Sequence, residues 1–81
     1  MKQEEFLQKV EAVLIAKIGK IIAGSVLKNN LAKMNKPVAS MDKSDMQNLI
    51  ENITKAVSLF ESHDESKLIN EELKDLLKIL D

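Results

Sequence analysis

Apolar residues return at three- and four-residue spacing from almost the first position. Phe6, Leu7, Val10, Val13, Leu14, Ile18, Ile21 and Ile22 trace a helical period, with Glu4 and Glu5 beside the positive end of its dipole. The pattern runs to Leu31 or Met34 and closes at Asn29-Asn30 and Asn35-Lys36-Pro37, where Asn can adopt a left-handed cap and Pro37 forbids continuation. These positions predict one long or kinked helix over about 3–34. At ~1.5 Å per residue a straight helix of that length reaches roughly 45 Å, too long for a compact domain of this size.

Residues 35–43 read as the linker, with Val38 and Met41 apolar enough to plug a core. A second helix over about 44–61 is predicted from Ser44-Asp45-Met46-Gln47, which fits a capping box led by Ser44. Met46, Leu49, Ile50, Ile53, Val57 and Phe60 share one arc of it, opposite Gln47, Glu51, Asn52, Lys55 and Ser58. A third helix over about 66–80 carries Leu68, Ile69, Leu73, Leu76, Leu77 and Leu80, its start lying between Asp64 and Glu71 because Ser62 and Asn70 each offer a cap. No strand pattern and no internal repeat occurs. The expected fold is therefore all-α over a single domain, 1–81: a long or kinked first helix, then two shorter antiparallel helices, together forming a dimeric helical bundle.

Dimerisation is expected because the first helix shows two apolar stripes where a soluble helix needs one. Phe6, Val10, Val13, Leu14 and Ile21 form one side and Ile15, Ile18, Ile22 and Val26 the other. Two shorter helices cover one stripe, which leaves the second for a partner copy. Gly19 and Gly24 each cost about 1 kcal/mol against Ala inside a helix. With Ala16, Ala23 and Ser25 they make a small-residue face for close approach, or a hinge. The expected interaction surface is Ile15, Ile18, Gly19, Ile22, Ala23 and Val26.

Composition narrows the chemistry. In 81 residues there is no cysteine, so disulfides, thiolate metal sites and thiol nucleophiles are excluded and a cytoplasmic setting is expected. The acidic start and the lysines at 17 and 20 speak against a signal peptide or a membrane span. His63 lacks a second His or Cys and reads as a turn residue rather than a ligand. Every Ser reads as a cap, turn or helix-face residue, and no glycine-rich phosphate loop is present, so neither enzyme activity nor a cofactor is expected.

The charge is uneven despite a net −1. Residues 1–36 hold seven Lys against three acids, and residues 37–81 hold five Lys against ten. Packing of the halves against each other explains this most simply. The alternative is a basic face built from Lys17, Lys20, Lys28, Lys33 and Lys36, which would take nucleic acid or an anionic membrane. Only three of these lysines share a helix face, all cations are Lys rather than Arg, and Phe6 and Phe60 are the only aromatics, so that reading ranks second.

The run Phe6-Leu7-Gln8-Lys9-Val10-Glu11-Ala12-Val13-Leu14, followed by Ile18-Gly19-Lys20-Ile21-Ile22-Ala23 and Val26-Leu27, resembles a helical region found beside receiver, kinase or related regulatory domains in prokaryotic signalling proteins. Such regions often carry an Ile-Gly-Pro-Ile-Ala-like centre. Here Lys20 stands in place of the proline and the alanine comes one position later, at Ala23. The similarity covers residues 6–27. It implies a non-catalytic accessory module for oligomerisation or docking of a protein partner.

Overall fold

The chain is all-helical in a computed structural model that describes residues 3–80. Four α-helices follow one another: α1 (Gln3–Ile18), α2 (Lys20–Met34), α3 (Lys43–Val57) and α4 (His63–Leu80), with a 3-10 turn at Val38–Ser40. Among the described residues there is no strand. Leu80, expected on the apolar side of the last helix, has a side chain outside the described set.

The expected helix over 3–34 is not one helix. It divides at Gly19, whose φ of 86° and ψ of 159° lie in a region open essentially to glycine alone. The amide of Gly19 still donates to Ile15 O at 3.0 Å, and its carbonyl accepts from Ala23 N–H at 2.9 Å, so one residue ends α1 and begins α2. The chain then folds back. Glu11 on α1 lines a groove with Gly24, Leu27 and Leu31 of α2, positions that a straight helix would hold far apart. Gln3 Nε2 donates to Met41 O at 3.0 Å, which ties the start of α1 to the segment after α2. The Cα envelope measures 32 × 24 × 18 Å, too short for a continuous helix of ~45 Å.

Asn35 closes α2 in the left-handed conformation (φ 53°), its amide donating to Ala32 O at 3.3 Å. Asp42, not Ser44, then caps α3. The Asp45 amide donates to Asp42 Oδ1 at 2.8 Å, and the Asp42 amide donates to Asp45 Oδ2 at 3.1 Å. Both residues suit a cap by type, but Asp42 has the extended backbone (φ −103°, ψ −174°) that a cap requires, while Ser44 is already helical. α3 ends at Val57, short of the expected position 61. Successive turns bond Leu59 N–H to Ala56 O and Phe60 N–H to Val57 O, leaving Phe60 outside the helix and 60% exposed. α4 starts at His63, earlier than position 66, because the Ser62 hydroxyl accepts from the Glu65 amide at 3.2 Å.

Each helix packs on two others: α1 on α2 and α4, α3 on α2 and α4. The core draws on all four, with Phe6, Val10 and Leu14 from α1, Ala23, Val26 and Leu27 from α2, Ile50 and Ile53 from α3, and Ile69 and Leu73 from α4. Met41, from the linker, is buried beside them, and Val38 packs against the cluster. Asn30 is 3% exposed, and its amide is satisfied by donating to Val26 O at 2.8 Å.

Candidate functional site

The break at Gly19 redistributes the six residues expected to form the interaction surface. Ala23 and Val26 are buried in the chain's own core and are unavailable to a partner. Ile18 is half-buried against that core, and Gly19 is the corner itself. Ile15 and Ile22 keep substantial exposure, as does Gly19 itself. Ile21, assigned from the sequence to the stripe of Phe6, Val10 and Leu14, is instead 87% exposed. The reason is the non-helical dihedral at Gly19, which breaks the angular register between residues on either side of it. On either side of the corner Ile15 on α1 and Ile21 and Ile22 on α2 are exposed, a combination that sequence periodicity did not give.

The five lysines of the basic face do not converge either. Lys17 Nζ lies 3.7 Å from Glu72 Oε1 on α4, and Lys36 Nζ lies 2.6 Å from Asp45 Oδ2 on α3. Both pairs join the basic first half to the acidic second. The hydrogen bond from Lys36 holds the Asp45 carboxyl below its usual value, aided by the Asp42 amide, and the same bond raises the Lys36 ammonium. Lys20, Lys28 and Lys33 are exposed on α2, a helix without an acidic residue.

His63 is the first residue of α4 and is exposed. Among the described residues no group of three His, Asp or Glu side chains could hold a metal ion. No helix is long and apolar enough to cross a membrane among those residues. Two open grooves run along the seam between α3 and α4. The larger, about 470 Å³, is bordered by Lys43, Gln47, Asn48, Glu51, Lys74 and Lys78. The smaller, about 310 Å³, is bordered by Glu51, Lys55, Ser58, His63 and Lys67.

Sequence reasoning passed over this seam. Lys67, Lys74 and Lys78 share a helix face by spacing alone, which was a legible signal. Lys43 and Lys55 join them only because α3 and α4 pair antiparallel, as shown by Asn70 Nδ2 donating to Thr54 Oγ1 at 2.8 Å and by Lys74 Nζ at 3.4 Å from Glu51 Oε1.

Compared with protein families, with characterised proteins and with solved structures, the chain matches none.

Proposed function

We propose that this chain is a non-catalytic protein–protein interaction module that associates with a second copy of itself. The regulatory signalling role implied by the resemblance of residues 6–27 fits such a module. The observation that carries the reading is Ile21, 87% exposed beside Ile22 on α2, two residues past the Gly19 corner. The core behind them is already closed, and no buried side-chain nitrogen or oxygen among the described residues lacks a hydrogen-bond partner. Ile21 therefore adds little to the monomer's interior, Ile15 and Ile22 keep more than a third of their surface in water, and exposed apolar groups of this kind suit burial against a partner. A two-fold pairing of corners would bury them in both copies at once. A chain without cysteine has no need of an oxidising compartment, and the reading places it in the cytoplasm.

The second reading, anion binding by Lys17, Lys20, Lys28, Lys33 and Lys36, is weaker because Lys17 and Lys36 already pair within the chain. Sedimentation equilibrium from about 1 to 100 μM tests the first. A dimer is expected, converted to folded monomer by Ile15→Asp with Ile21→Asp at unchanged helical circular dichroism. A parent that stays monomeric at roughly 100 μM overturns it.

A further inference from the structure

From residue 37 onward the chain has ten acids against five lysines, yet the seam between α3 and α4 is basic. All five lysines border its two grooves: Lys43, Lys74 and Lys78 the larger, Lys55 and Lys67 the smaller, with His63 beside them. Among the described residues Glu51 is the one acid on either groove. On α4, Lys67, Lys74 and Lys78 fall within an arc of about 40° at 3.6 residues per turn, and Asp64, Glu65, Glu71, Glu72 and Asp75 take the neighbouring arc. Packing has sorted charges that composition averages away.

We propose that this seam is a docking groove for an extended acidic segment of a partner protein. Charge complementarity carries the assignment. Lys55 and Lys67 have no ion-pair partner among the described residues. Lys74 and Lys78 face Glu51 and Asp75 at 3.4 and 3.9 Å with more than half of each side chain in water, pairs that exchange for an incoming carboxylate at little cost. Gln47, Asn48 and Ser58 add polar groups able to hold peptide N–H and C=O. From Lys43 to Ser58 the seam runs ~22 Å, room for about seven residues of extended chain.

A nucleic acid suits it less well. The lining has no Phe, Tyr or Trp ring to stack a base and no Arg to grip a phosphate bidentately. The acidic arc next to the lysines would also repel a polyanion as wide as a duplex, while a single peptide strand stays within the groove. The seam shares no residue with the Gly19 corner, so this binding goes beyond self-association and stands independently of it.

Fluorescence anisotropy of a labelled oligoglutamate peptide of about eight residues, titrated with the full chain, tests the assignment. Saturable binding is expected, weakening about tenfold or more between roughly 50 and 200 mM salt. Lys55→Glu with Lys67→Glu should abolish it, and Lys55→Gln with Lys67→Gln should weaken it by a smaller factor. Lys28→Glu with Lys33→Glu, an equal change of net charge away from the seam, should leave affinity within about twofold. The proposal is overturned by absence of saturable binding at low salt, by equal losses in the seam and control variants, or by tighter binding of an oligothymidylate of equal charge.

Discussion

In α3 and α4 the buried residues fall on one arc, whereas in α1 and α2 the apolar residues spread around both helices. Met46, Leu49, Ile50, Ile53 and Val57 are all buried on α3, and Ile69, Leu73 and Leu77 on α4, with charged and amide side chains opposite and Leu68, 49% exposed, the one large apolar residue off these arcs among the described residues of the two helices. The α1–α2 pair has no such division. Leu14 is fully buried while its neighbour Ile15 is 37% exposed, and Ala23 is buried two residues after the 87% exposed Ile21. A hairpin with one apolar arc per helix is directed by solvent exclusion. A hairpin whose apolar residues point several ways needs a backbone constraint to select which of them go inside, and here that constraint is the dihedral at Gly19.

The contrast can be broken most severely in α3. Ile53→Asp places a charge at a fully buried position and should cost about 3–5 kcal/mol, enough to unfold a domain this small. Loss of the cooperative thermal transition is the expected result, and an unchanged midpoint would show that this arc is not the core face. The two glycines sharpen the comparison from the other side. Gly19→Ala should destabilise by about 1–3 kcal/mol, because alanine is strained at φ 86° even with open space around it. Gly24→Ala should stabilise by up to about 1 kcal/mol, since Gly24 is helical and a Cβ there meets nothing within 4 Å. Denaturant midpoints of opposite sign would separate the hinge glycine from the merely tolerated one.

A smaller effect distinguishes the two candidate caps of α3. Asp42→Ala should cost about 1 kcal/mol, and Ser44→Ala should be nearly neutral, by the same denaturant titration. Smallest is the dependence on pH. Asp45 titrates below its usual value because of Lys36 and the Asp42 amide, so its contribution is present above the unfolded carboxylate range and disappears as pH falls through the folded value. The raised Lys36 contributes fully below the ordinary lysine range and loses its effect only at more alkaline pH. The parent should therefore exceed Asp45→Asn in thermal midpoint near neutrality, and the gap should narrow below the ordinary carboxylate range and close as pH falls through the lowered folded value of Asp45.

Helical periodicity alone was enough to recognise α3 and α4, since each needs only one face buried and every core residue lies at helical spacing. Their ends were harder to read. Ser44 and Asp42 both satisfy the rules for a cap, and the choice between them depends on backbone geometry two residues apart. Phe60 fits the α3 arc perfectly well on a helical wheel, but the helix stops before reaching it. The candidate surfaces were less legible still. Ile15 and Ile22 could be named from the stripe they share, whereas Ile21 became exposed only through the change of register at Gly19.

What this sequence determined by itself is the helical class, the amphipathic second half and the linker around Pro37. Those properties follow from residue type and local spacing, which act within one or two helical turns. The tertiary structure decided that Gly19 is a corner rather than a tolerated interruption, that Ala23 and Val26 belong to the core, and that five lysines of an acidic segment line one seam. Each of these depends on which helix lies beside which. A glycine offers both helical and extended positive-φ conformations at similar local cost, so only the packing gained by folding α2 back along α1 selects between them.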